Sequence, residues 1–294
     1  MTPGPAACPS ALCSWNETTI YQFTGNTDAG GGTVTAFDSA GNLYGISGSG
    51  GAYGPGAVFE LSPSQGGWTE KVLYSFTGGS DGGGPNSLLV GHDGNLYGTA
   101  GYGGNNGCAN GYAQCGVVFQ LVPSGGGWTE NVIYAFTGSG SDGWSPGGLI
   151  QDATGGLIGS SICPSTGGSG CEWEGSQYEG MIFGLERNAN SGWQISQVSQ
   201  YRGDACYAYG SDFVTYNALA LDGAGNLYAV VGGGWYFKCG AVLNITTQTQ
   251  LVGGYDQIFD NLASDANGNL YGTISTCGFG TPQRTNGMVW EYSP

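Results

Sequence analysis

The sequence predicts an all-β fold, a five-bladed β-propeller whose blades are four-stranded antiparallel sheets. Three observations carry this expectation. The phrase Gly-Asn-Leu-Tyr-Gly, or a close variant, occurs five times. Every copy stands among the same order of short β-prone runs. The last copy lacks its final run, and a matching run stands alone near the start of the chain.

The five phrases begin at Gly41, Gly94, Gly155, Gly225 and Gly268, with spacings of 53, 61, 70 and 43 residues. Repeats of this length indicate a propeller or a solenoid. The first strand of a copy is an apolar run such as Ser87–Val90 or Ala218–Leu221. A turn of the type Asp38-Ser39-Ala40-Gly41 leads into the second strand, which is the phrase itself, and a variable Gly-rich loop follows. The third strand reads Gly56-Ala57-Val58-Phe59-Glu60-Leu61, with counterparts at Gly116–Leu121, Gly180–Leu185, Gly240–Ile245 and Gly287–Tyr292. The fourth reads Trp68-Thr69-Glu70-Lys71-Val72-Leu73-Tyr74-Ser75-Phe76, echoed by Trp128–Phe136 and Trp193–Tyr201 and, without the leading Trp, by Leu251–Phe259. Val, Ile, Tyr, Phe and Thr dominate these runs and Gly or Pro punctuates them, as in strands. No run shows a sustained 3.6-residue apolar period with caps, so essentially no helix is expected. Trp15–Phe23 matches Trp68–Phe76 position by position. It is expected to complete the fifth blade and close the ring, which removes the open edges of a linear array. The chain then divides into an N-terminal arm, residues 1–14, and a single propeller, residues 15–294.

Composition bounds the partners. Gly fills 61 of the 294 positions, but 39% of residues are hydrophobic and 13% aromatic, enough to offset the entropy of ordering the chain. Five Lys and Arg stand against 21 Asp and Glu, a net charge of −16. Clustered basic residues, which nucleic acid and anionic membranes require, are therefore not expected. No run approaches the ~18 apolar residues of a membrane helix. The nine Cys include no C-x-x-C pair, and several lie close together in loops, as disulfides of an oxidising compartment do. The expected pairs are Cys108 with Cys115, Cys163 with Cys171, Cys206 with Cys239 and Cys13 with Cys277; Cys8 with Cys13 is the local alternative. Residues 1–14 show neither a basic start nor an apolar stretch, as expected where an export signal has been removed.

G-N-L-Y-G-T, G-x-V-F-x-L and G-W-T-E-x-V-L-Y-x-F together resemble the Gloeobacter/Verrucomicrobia-type tandem repeat, best in the first two copies. That resemblance implies a secreted or surface-attached bacterial protein and supplies no catalytic residues. The D-x-x-G-N-L-Y turn is also similar to that of NHL-type propeller repeats, which mostly serve as binding scaffolds.

Several residues fall outside the repeat pattern. Trp144, Trp173 and Trp235 lie in loops that propeller geometry places on one face, with Tyr102, Tyr112, Tyr178 and Tyr236. Aromatics amid Asn, Ser and Gly suit stacking on sugars or on another protein; the alternative is that they fold inward over the Gly-rich loops. Asp28, Asp81 and Asp142 hold equivalent positions in the loops that lead to the first strand of a blade, where convergent carboxylates could bind Ca²⁺ around the axis. Alternatively each stabilises its own turn. His92, the one histidine, sits where other copies carry ordinary turn residues. Glu172, Glu174 and Glu179 share one long loop without an evident second carboxylate partner for glycoside hydrolysis. The expected role is a secreted, non-catalytic propeller that needs no cofactor and acts as a structural, self-assembling extracellular subunit, a homo-oligomer through its N-terminal arm. A carbohydrate-binding propeller is the alternative, and an extracellular glycosidase comes third.

Overall fold

The computed structural model describes residues 18–25, 28–104, 115–138, 142–162, 180–188, 192–200, 214–233, 239–255, 257–265, 267–276 and 288–293. All regular structure among them is β, in five antiparallel sheets. Blade 1 holds β1(Thr33–Phe37), β2(Leu43–Ser47), β3(Ala57–Ser64) and β4(Gly67–Ser75). Blade 2 holds β5(Gly83–Val90), β6(Leu96–Tyr102), β7(Val117–Ser124) and β8(Gly127–Ala135). Blade 3 holds β9(Leu149–Gln151), β10(Leu157–Ile162), β11(Gly180–Asn188) and β12(Gly192–Gln200). Blade 4 holds β13(Val214–Leu221), β14(Leu227–Gly233), β15(Cys239–Asn244) and β16(Thr249–Tyr255), and blade 5 holds β17(Gln257–Ser264), β18(Leu270–Thr276) and β19(Met288–Tyr292). Strands pair in chain order within each sheet, and the first strand of blades 2 to 5 packs against the blade before it. The fold is a five-bladed β-propeller.

The repeated phrases have steric causes. The second Gly of the phrase lies directly across from the third-strand aromatic: Gly45 pairs with Phe59, Gly98 with Phe119, Gly159 with Phe183 and Gly272 with Trp290. A Cβ at Gly98 would meet Cζ of Phe119 at 2.3 Å. The ring therefore occupies the volume a side chain would take. In blade 4 the pair is Ala229 with Leu243, where a smaller partner leaves room for the methyl. Asp38 nucleates its turn by accepting from the amides of Ala40 and Asn42, the Asn42 side chain and the Tyr44 hydroxyl. Gly41, two residues further on than Ser39, has a φ of 87°, a conformation only Gly adopts without strain. Asp222 and Asp265 build the same turn.

Successive blades are joined by edge-to-face aromatic contacts. Phe76 at the end of blade 1 meets Phe119 of blade 2 at 5.0 Å, and Phe136 meets Phe183 of blade 3 at 5.1 Å. Phe23 meets Phe59 of blade 1 at 5.1 Å in the same way, and Tyr21 flanks it as Tyr74 flanks Phe76. Residues 18–25 form no assigned strand, and β19 pairs with β18 alone among the described residues. Met288 and Val289 on that edge are exposed, Val289 at 81%.

One sequence expectation is corrected. Leu251–Phe259 is not a single fourth strand: β16 ends at Tyr255 and β17 of the next blade begins at Gln257. The shortest repeat spacing leaves a single residue between the two strands, so one apolar run serves two blades.

Candidate functional site

Asp28, Asp81 and Asp142 are buried, and each sits in its own turn. The carboxylate of Asp28 accepts from the amide and hydroxyl of Thr24 and from the amides of Gly25 and Gly30. The Thr24 bonds, the amide first, hold its pKa below the ordinary carboxylate value. Asp81 accepts from the Thr77 amide and hydroxyl and from Tyr74, and Asp142 from Thr137 and Tyr134 in the same pattern. Among the described residues no group of three His, Cys, Asp or Glu could hold a metal ion.

Trp144 is partly buried against the core cluster that contains Phe136 and Phe183, and its backbone bridges Ile162. Tyr102, 36% exposed, lies over Gly83 and Gly84. The Tyr102 ring thus covers the start of β5. Tyr112, Trp173, Tyr178, Trp235 and Tyr236 lie outside the described residues, as do Glu172, Glu174 and Glu179. So do Cys13, Cys108, Cys163, Cys171, Cys206 and Cys277; Cys239 lies in β15, and Cys115 is fully buried.

A cleft of about 580 Å³ opens between blades 2 and 3, lined by His92, Asp93, Tyr97, Gln151, Ala153, Thr154, Glu186 and Arg187 among others. It sits at the turns joining first to second strands and at the end of β11. That end of β10 is opposite to the one where Trp144 bridges Ile162. Here the chain departs from its own repeat. Gly91 stands where Asp38, Asp152, Asp222 and Asp265 stand in the other copies, and the carboxylate has moved two positions along to Asp93. A Cβ at Gly91 would meet the Tyr97 ring at 2.5 Å, so the aromatic takes the place of the usual Asp. From its new position Asp93 bonds Asn95 and the Tyr97 hydroxyl and reaches Arg187 of the next blade. Burial raises its pKa, but the bonds from Tyr97 and Asn95 and the nearby guanidinium outweigh that and hold it below the ordinary carboxylate value.

Arg187 is the second departure. It occupies the position of Pro63 and Pro123, across from the fourth-strand Trp. Its guanidinium lies over the Trp193 ring at 5.1 Å, and Nη2 donates to the Tyr97 hydroxyl at 3.0 Å and to Asp93 at 3.4 Å. Among the described residues Nε and Nη1 meet no acceptor, and neither does the His92 imidazole. The His92 amide is held by the Gln151 side chain at 2.8 Å. Sequence reasoning singled out His92 but missed Asp93 and Arg187. Aligning the five turns and asking which copy displaces its Asp would have found the first.

A family model describing the Gloeobacter/Verrucomicrobia repeat matches residues 12–159, half of the chain. The chain belongs to the Gloeobacter/Verrucomicrobia repeat family. The match covers the first two copies and part of the third, up to the phrase that ends at Gly159; the cleft thus lies where the matched region passes into a divergent copy. Among curated proteins none matches this repeat protein in sequence. Among solved structures it is similar to hydrazine synthase of Kuenenia stuttgartiensis, at 14% identity and a TM-score of 0.50, covering 90% of this chain and 61% of that one. It is also similar to a gluconolactonase of Xanthomonas campestris (13% identity, TM-score 0.47, 85% and 74% covered). A Dyadobacter fermentans protein of unknown function matches at 12% identity, TM-score 0.48, with 82% and 74% covered. At such identities the likeness is one of fold.

Proposed function

We propose that this member of the repeat family is a secreted, non-catalytic propeller that binds carbohydrate in the cleft between blades 2 and 3. One observation carries the reading: the off-repeat residues His92, Asp93 and Arg187 converge on a single cleft. Residues needed only for folding recur from copy to copy; these do not. The cleft mixes donors and acceptors on a scaffold held by its own turns, and its size suits a small-molecule site. A glycan array with the full chain tests this. Bound glycans released by His92→Ser, but not by the double variant Trp173→Ala/Trp235→Ala, support the cleft. Loss in the double variant alone assigns binding to the segments that carry Trp173 and Trp235.

A second reading, a self-assembling extracellular subunit, is favoured by the exposed Val34 and Phe37 on β1, the terminal strand of its sheet, the latter 76% exposed. Apolar strand edges are templates for pairing with further chains. Light scattering on the full chain and on a variant lacking residues 1–14 tests it; monomers in both, at high concentration, overturn it.

A further inference from the structure

We infer that a shelf formed by Tyr53, Pro55 and Tyr102 is a carbohydrate site separate from the cleft, and that it stacks a neutral pyranose ring. The cleft meets β6 at Tyr97 and the shelf meets it at Tyr102, the other end of the strand, about 17 Å along it. Tyrosine has an ordinary use in this fold: Tyr44, Tyr74, Tyr97, Tyr134, Tyr228 and Tyr271 each donate to the Asp of a turn. Tyr53 and Tyr102 do not. Among the described residues neither hydroxyl meets a partner, and the two residues are 67% and 36% exposed.

Both rings are nevertheless held in place. Tyr53 stands at the tip of a loop closed by the Gly50 amide on the Gly54 carbonyl at 3.1 Å, the Gly56 amide on the Gly50 carbonyl at 3.2 Å and the Ala52 amide on the Ser75 hydroxyl at 3.1 Å. The Tyr102 ring lies on the Gly83–Gly84 backbone, where a Cβ at Gly83 would meet it at 2.5 Å. Pro55 links the two. A Cβ at Gly78 would meet Pro55 at 3.2 Å and Tyr102 at 3.6 Å, and the Pro55 carbonyl accepts from the Gly84 amide at 2.7 Å. Aromatics fixed before a ligand arrives lose little entropy on binding.

Area and charge select the occupant. With about 200 Å² for a whole Tyr side chain, the exposed fractions of the two present about 200 Å² together, against about 800 Å² per partner in a stable protein interface. The smaller area fits the face of a sugar ring. Tyr53, Pro55, Gly78 and Tyr102 carry no charge. An aromatic face packs on the C–H face of a pyranose, and the two unpartnered hydroxyls can bond the hydroxyls at its rim. A β-linked glucose ring, with every hydroxyl equatorial, offers the broadest such face.

The test is calorimetry on the full chain with cellotriose, and with a proline decamer as the competing occupant. Cellotriose is expected to bind. Tyr53→Ala should weaken it about fivefold or more, and Tyr53→Phe, which keeps the ring, should recover most of that loss. Both variants should keep the melting temperature, because the ring stands at a loop tip. Cellotriose binding that Tyr53→Ala leaves unchanged overturns the shelf; if His92→Ser then removes it, the sugar sits in the cleft and the reading of that site stands. Absence of cellotriose binding overturns the shelf as a sugar site. Binding of the proline decamer in place of cellotriose, lost in Tyr53→Ala, overturns the saccharide and assigns the shelf to an extended peptide.

Discussion

Glu130 gives the sharpest test of the reasoning about packing between blades. It occupies the same position in β8 that Glu70 occupies in β4. Glu70 accepts a hydrogen bond from the Ala29 amide at 3.2 Å, whereas Oε1 of Glu130 is buried without a partner among the described residues. Burial, and then the charge of Asp81, push the Glu130 carboxyl up to about 7 from an ordinary value of 4.5. A carboxyl raised in the folded state binds its proton more tightly there than in the unfolded chain. Its ionisation therefore destabilises the fold above pH 7, and the penalty disappears as pH falls toward 4.5. At about 1.4 kcal/mol per pH unit the ceiling is about 3 kcal/mol. The side chain is only half-buried, and solvent screening reduces the penalty to about 1–2 kcal/mol. Glu130→Gln, which removes the charge and keeps the shape, is expected to stabilise the protein by that amount at pH 8 and by little at pH 4.5. Urea denaturation at both pH values, with Glu70→Gln as the companion of smaller effect, measures it. A substitution that destabilises at pH 8, or helps equally at both, refutes the account.

Gly98→Ala should cost about 1–3 kcal/mol because its methyl would collide with Phe119 and the Ser87 carbonyl. Phe119→Leu in the same chain should recover part of the loss, reproducing the Ala229–Leu243 pair of blade 4, and thermal melts of the single and double variants will show the coupling. We propose that residues 15–23 close the ring as the fourth strand of blade 5, as the Phe23–Phe59 contact suggests; deleting residues 1–23 should then abolish cooperative unfolding, and an unchanged calorimetric transition refutes closure. Asp81→Asn, which weakens a carboxylate serving three donors, should cost about 1–3 kcal/mol. If Asp28, Asp81 and Asp142 also bind Ca²⁺, titration will give heat and chelator will lower the melting temperature; neither effect means that each carboxylate serves only its turn.

The all-β class, the five copies and the four-strand order were legible in the sequence because each rests on local chemistry that every repeat must satisfy. A Gly must face Phe59 or Phe119, and an Asp must hold the turn before Gly41 or Gly225. Such constraints act within one blade, over a few residues, and leave a periodic trace. Asp28, Asp81 and Asp142 were found for the same reason, and what binds each is its own neighbouring Thr, joined by a Tyr at Asp81 and Asp142 and by Gly amides at Asp28. The tertiary structure alone decided the meeting of Asp93 with Arg187, 94 residues apart. That contact crosses from one blade to the next, where no sequence period constrains the partner and only the packing of neighbouring blades sets the distance. The same holds for Glu130: its Thr-Glu context is identical to that of Glu70, and only the three-dimensional surroundings leave its carboxylate without the amide its counterpart found.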